Sequence, residues 1–173
     1  REGAVALRAL ALCADAVRDY RIAIYAATDD VIMAAELLAH DTGLHIEIVP
    51  PTTHEGILRL LGESRVYIGV AATDGASTSS LEAMAMGAFP IQSGTACADE
   101  RLIDGQTGFI VPPEDPHAIA DAIRRAATDD ALVDAGTQSN LRYVAEHLDF
   151  ERIRAEIVPL YERVCARPQN SDS

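Results

Sequence analysis

The sequence predicts an α/β fold, a Rossmann-like doubly wound parallel sheet of about five strands with extra C-terminal helices. Three observations carry that expectation. Short runs of apolar and β-branched residues recur along the chain. Helix-patterned segments separate them, the signature of a parallel sheet covered on both faces. From Pro112 onward the strands stop and only helical patterns follow. The 173 residues, 49% hydrophobic and 24% charged, hold enough apolar material for one core.

Residues 4–19 are dense in Ala and Leu, which favours a first helix by intrinsic propensity. Residues 21–27 (RIAIYAA) then read as a strand ending at Thr28-Asp29-Asp30, a polar cluster suited to capping the helix expected over 31–40. The pattern repeats with a strand at 44–49, a break at Pro50-Pro51-Thr52-Thr53 and a helix at 54–62. A strand at 66–71, a polar loop, a helix at 79–86 and a strand at 88–92 follow, with a fifth strand at 108–111. Asp115 is placed to cap a helix that begins with Pro116, and helices are expected over 116–127, 130–146 and 150–165. Residues 1–165 are expected to form one domain. Residues 166–173 lack apolar content and are expected to be a disordered tail. The opening at Arg1-Glu2-Gly3, almost inside a helical pattern, reads as a piece of something longer.

Composition excludes several classes. Asp plus Glu number 27 against 14 basic residues, all of them arginine, for a net charge of -13. No Arg run and no basic–aromatic interleaving is present, so nucleic acid is not an expected partner. Cys13, Cys97 and Cys165 form no CxxC pair, which points to a reducing, cytoplasmic setting without structural zinc. No run approaches the roughly 18–20 apolar residues of a membrane span, and no leader pattern opens the chain, so stable membrane insertion is not expected. No Asp-x-Asp occurs, and His40, His45, His54, His117 and His147 are scattered, so no metal site is expected. His54, just after the second-strand loop, is the histidine nearest the expected ligand crevice.

In an open parallel sheet, ligands bind beyond the carboxyl ends of the strands where the strand order reverses. The loop after the third strand is the most informative one there. It runs Thr73-Asp74-Gly75-Ala76-Ser77-Thr78-Ser79-Ser80 and leads directly into Leu81-Glu82-Ala83-Met84-Ala85-Met86-Gly87. A helix amino terminus presents unpaired N–H groups and partial positive charge, so it holds a phosphate without a basic side chain. Gly75 permits close approach, and Ser77, Thr78, Ser79 and Ser80 add hydroxyls. The same residues also fit a well-capped helix behind a polar loop. Glu82 suits the two hydroxyls of a ribose, or simply complements the positive end of its helix. Met84 and Met86 read as core.

The stretch from Asp74 through Gly87, continuing to Glu100, Gly105, Gly108, Val111 and Asp115, resembles the C-terminal domain of GT-B glycosyltransferases of the "glycosyl transferases group 1" kind. That family carries an E-x7-E element, which reads here as Asp74-x7-Glu82 with Leu81-Glu82-Ala83-Met84-Ala85 matching, and a downstream E-x4-G-x2-G-x2-V segment. The resemblance covers about residues 21–128. It implies the donor-binding half of a retaining, metal-independent hexosyltransferase whose other half, an N-terminal domain, binds the acceptor. The donor is a nucleotide sugar carrying UDP, GDP or ADP, with no further cofactor. By the same resemblance Glu82 accepts the ribose hydroxyls, Asp74 lies near the donor sugar, and the amides from Ser77 to Ser80 hold the distal phosphate. By that resemblance the base rests near Pro50 to Thr52. Thr28, in the loop after the first strand, is a further donor-binding candidate, and Glu100 either contacts the donor sugar through its loop or caps the segment before Ile103. Asp74 is one methylene shorter than the family's Glu, and the Arg and Lys that grip the diphosphate have no clear counterpart, so this half alone is expected to be inactive. A non-catalytic nucleotide or nucleotide-sugar binding module is the alternative reading.

Overall fold

The computed structural model describes residues 2–73, 75, 77–95 and 97–165. The elements run α1 (Glu2–Leu12), β1 (Arg21–Ile24), α2 (Asp29–Thr42), β2 (His45–Ile48), α3 (His54–Gly62), β3 (Val66–Gly69), α4 (Thr78–Met86), β4 (Phe89–Ser93), a 3-10 turn (Ala98–Glu100), β5 (Phe109–Val111), α5 (Pro116–Thr128), α6 (Asp130–His147) and α7 (Phe150–Cys165). The expected α/β architecture with five parallel strands is present. The strands pair in two ladders, β1–β2 and β3–β4–β5.

Local chemistry explains most boundaries. Gly43 adopts a left-handed φ of 72° and donates its N–H to the Ala39 carbonyl, closing α2. The Thr53 hydroxyl accepts from the Gly56 amide at the start of α3. At the start of α5, Asp115 accepts from the amides of His117 and Ala118, with Pro116 in the first turn as expected. Asp129 caps α6 by accepting from the Leu132 amide.

The first helix is shorter than its composition predicts. It ends at Leu12, and residues 13–19 form turns. The cause is tertiary: Arg124 of α5 donates to the Leu12 carbonyl and spans both oxygens of Asp15 at 2.8 Å. That arginine claims the helix end, so propensity is overridden. The Asp15 carboxyl is held below its ordinary range, chiefly by its hydrogen bonds from Arg124.

The main core lies between the sheet and the group α1, α2 and α5, with Phe89, Ile91 and Ile119 fully enclosed. Phe89 and Phe109 meet edge to face at 5.5 Å, and the Arg125 guanidinium lies 4.5 Å over the Phe109 ring. On the opposite face α3 packs on α4 and α4 on α6. Gly136 of α6 has no room for a side chain, since a Cβ there would lie 2.5 Å from the Phe89 ring and 2.6 Å from the Gln106 carbonyl. Met84 is core as expected, whereas Met86 is exposed. Ile153, Ile157, Leu160 and Val164 of α7, spaced as an apolar stripe, are all exposed. The tail expected at 166–173 lies outside the described residues. No helix among the described residues is long and apolar enough to cross a membrane.

Candidate functional site

The carboxyl ends of the strands gather the loops that the sequence singles out. Ser77 occupies the cap position of α4 in extended geometry, and its side chain makes no cap hydrogen bond. The first-turn amides of α4 therefore have no capping hydroxyl drawn across them, and their partial positive charge is directed into the loop. Gly75 is exposed, and a Cβ there would meet nothing within 4 Å. Asp74, the first acidic residue of the element, and its neighbour Ala76 lie outside the described residues.

Glu82 is one turn into α4, with its side chain 31% exposed. Its Oε1 lies 2.8 Å from Nε2 of His54, the first residue of α3. With the carboxylate as acceptor, the imidazole donates through Nε2. That contact ties the loop after β2, which contains Pro50, to the start of α4. Pro50 itself is exposed. Both belong to the same crevice through this pair, which engages Oε1 of the Glu82 carboxylate.

The serines divide between two faces of the helix start. Ser77 and Ser79 line a cavity of about 380 Å³ at the carboxyl ends of β1 and β3, together with Tyr25, Tyr67 and Gly3. Burial pushes the Tyr67 phenol well above its usual range, and the neighbouring Tyr25 phenol adds to this, while hydrogen bonds with Ser79 and Ser77 oppose it. Tyr67 is thus a neutral hydroxyl set among hydroxyls. Ser80 is buried and faces a small niche shared with Ser77, Gln92 and Arg101. Thr78 is exposed at the first position of the helix.

Arg101 is the residue that the motif reading passed over. It is the single arginine between positions 66 and 123, its side chain is only 23% exposed, and it borders the niche beside Ser77 and Ser80. Among the described residues its guanidinium makes only long contacts, 3.4 Å to the Cys97 carbonyl and 3.8 Å to Glu100. In a chain without lysine, that isolation within the motif-bearing segment was the signal that could have found it. Glu100 sits beside it, exposed, at the end of the 3-10 turn. Thr28 stands apart from this group: it is exposed, and its hydroxyl donates to Asp30 at 2.5 Å on its own helix.

The arrangement offers oriented amides, hydroxyls and one guanidinium for an anion, and a half-buried carboxylate for a polyol. Among the described residues, no group of three or more His, Cys, Asp or Glu is placed to hold a metal ion.

Comparison with known proteins places the chain. The family profile described as "Glycosyl transferases group 1" matches residues 4–129. No curated protein sequence matches at a significant level. Among solved structures, a glycosyltransferase from Rickettsia africae is similar with a TM-score of 0.79 at 18% identity, covering 95% of this chain and 45% of that one. The sucrose-phosphate synthase of Thermosynechococcus elongatus gives 0.76 at 22% identity, over 93% and 42%. The C-terminal domain of the group 1 protein LpcC from Francisella tularensis gives 0.74 at 19% identity, covering 85% of this chain and 79% of that domain. The chain thus spans less than half the length of the first two and most of the third. With its Rossmann-like fold and the profile match over most of its length, the chain belongs to the glycosyl transferases group 1 family as a C-terminal domain of the GT-B type.

Proposed function

We propose that this chain is the donor-binding half of a glycosyltransferase, holding a nucleotide sugar while a second domain presents the acceptor. The observation that carries the reading is the position of Glu82: a half-buried carboxylate, oriented by His54, one turn behind a helix start whose Ser77 side chain makes no cap hydrogen bond. A nucleoside diphosphate needs both parts at that separation, a carboxylate for the ribose hydroxyls and N–H donors for phosphate. In this reading Glu82 accepts from the ribose, the amides and hydroxyls from Ser77 to Ser80 hold the distal phosphate, and Gly75 lets it approach. Asp74 contacts the sugar, Pro50 bounds the base, and Thr28 and Glu100 border the donor. Arg101 supplies the cation that the sequence otherwise lacks near this helix. Charge develops on the departing diphosphate, so donors fixed at that oxygen lower the barrier.

We further propose that transfer is retaining and proceeds without a metal ion, in keeping with the absence of any Asp-x-Asp sequence. The acceptor-binding half lies outside this chain, and the isolated half binds donor without turning it over. Solved structures similar to this chain include Anabaena HepE in complex with UDP and glucose and the pneumococcal O-GlcNAc transferase GtfA in complex with UDP and GlcNAc, so UDP is the first nucleotide to try.

Calorimetric titration with UDP, GDP, ADP and their sugars, with and without magnesium, tests the reading. Glu82→Ala removes charge-assisted hydrogen bonds worth about 1.5–3 kcal/mol, a loss of about tenfold or more in affinity. Binding that is equally tight in wild type and Glu82→Ala overturns the assignment. Binding that requires magnesium overturns the metal-independent part.

A further inference from the structure

The ladder between β3 and β4 ends at Gly69 and Gln92. The Gly94 amide donates to the Val111 carbonyl, so the chain leaving β4 continues along β5. Two hydroxyls take over on the β3 side where the ladder stops. Ser93 Oγ and Thr95 Oγ1 each donate to the Ala71 carbonyl at 2.6 Å, and the two hydroxyl oxygens lie 3.2 Å apart. A carbonyl oxygen has two lone pairs, so two donors fill it. The donors differ in setting. Ser93 is fully enclosed and belongs to the strand itself, whereas Thr95 is exposed and stands in the loop that follows.

The loops that leave this point are held differently. After β4, the 3-10 turn is seated by Ala98 and Leu102, which are buried together with Met84 of α4. Glu100 and Arg101 therefore stand on an anchored element. After β3, Ala72, Thr73 and Gly75 are exposed, and Asp74 lies three positions beyond Ala71. The start of α4 has its own anchors, the buried Ser80, Ala83 and Met84, and Glu82 is paired with His54. Ala71 is thus the point at which the loop of Asp74 is tied to the chain that carries Glu100. We infer that Thr95 is a positioning residue for the sugar end of the donor, its hydroxyl holding the Ala71 carbonyl and so fixing the loop of Asp74 against the turn of Glu100. The inference rests on the donor-binding reading and divides the ligand in two. Nucleoside and phosphates meet Glu82 and the first turn of α4, which buried side chains hold whatever residue stands at position 95. The sugar meets groups whose separation the Thr95 bond sets, and a small displacement of such groups is enough to weaken contact.

Two variants test it. Thr95→Val keeps the shape of the side chain and removes the hydroxyl, and Thr95→Ser keeps the hydroxyl. Ser93 still bonds the Ala71 carbonyl in both, so both are expected to fold. UDP, GDP and ADP are titrated beside their glucose conjugates and UDP-GlcNAc. The quantity read is the ratio of Kd for the conjugate to Kd for its bare nucleoside diphosphate, taken for the conjugate that wild type binds tightest. Thr95→Val is expected to raise that ratio about fivefold, with the affinity for the bare nucleoside diphosphate changed by less than about twofold. Thr95→Ser is expected to restore the wild-type ratio. In the ligand-free protein, the amides of Ala72 and Thr73 are expected to exchange about threefold or more faster in Thr95→Val and at the wild-type rate in Thr95→Ser. An unchanged ratio overturns the inference. So does an equal loss for nucleotide and conjugate, which marks a residue that serves the fold alone. Unchanged exchange in Thr95→Val overturns the tie through Ala71. If wild type binds no probe, or binds equally well as Glu82→Ala, the donor-binding reading has failed and the inference falls with it. That failure is read on wild type and Glu82→Ala, and is distinct from one read at position 95.

Discussion

The ladder of β3, β4 and β5 and the ladder of β1 and β2 are written in similar sequence yet differ in burial. β4 encloses even Gln92 and Ser93, and the Ser93 hydroxyl donates to the Ala71 carbonyl at 2.6 Å. In β1, by contrast, the isoleucines at 22 and 24 are only half-buried. A strand's burial is thus set by whether it has neighbours on both sides, and its own hydrophobicity comes second. Polar residues are tolerated inside β4 because each finds a partner.

The largest test of this comparison is truncation in each ladder. Phe89→Ala removes a fully enclosed ring and its edge contact with Phe109, and is expected to lower stability by about 3–5 kcal/mol. Ile24→Ala, at a half-buried position, is expected to cost about 1–2 kcal/mol. Equal losses in urea denaturation would break the comparison. Next in size, Gly136→Ala drives a Cβ into the Phe89 ring and the Gln106 carbonyl, and the carbonyl belongs to backbone that cannot swing away. A loss of about 1–3 kcal/mol is expected by the same measurement.

A smaller effect sharpens the contrast through pH. The folded Asp15 carboxyl is held below its ordinary value of 3.8, chiefly by its hydrogen bonds from Arg124. A depressed carboxylate contributes stability that is present above the unfolded value and is lost as pH falls from there through the folded value. Asp15→Asn is therefore expected to be less stable than wild type at neutral pH, the two converging in acid below 3.8. A gap that persists in strong acid refutes the link. The smallest effect is chemical. Burial raises the Cys13 thiol to about 11, so two thiols, the exposed Cys97 and Cys165, are expected to label in the native protein. Cys13 is expected to follow only when α1 lifts from α5, and prompt labelling of a third thiol shows that it lifts readily.

Much of this architecture is legible in the chain. The spacing predicts α3 over 54–62, where it lies, and Asp115-Pro116 marks the start of α5. The end of α1 was not legible, because an arginine more than a hundred residues away decides it. Nor was the division of the sheet, since strand pairing depends on neighbours that periodicity does not name. At the site, the run from Ser77 to Ser80 and the position of Glu82 could be read from the motif. Arg101 was signalled only as the single arginine of its segment; its place beside the start of α4 comes from the fold, which carries the 3-10 turn there. The pairing of Glu82 with His54 joins two residues 28 positions apart, a distance that no helical spacing encodes.

The clasp of Arg124 on Leu12 and Asp15 also orders events during synthesis. It joins residues 112 and 109 positions apart. At roughly 5–20 residues per second, the end of α1 therefore waits roughly 5–22 seconds for α5 to be made. Until then intrinsic propensity alone governs residues 13–19.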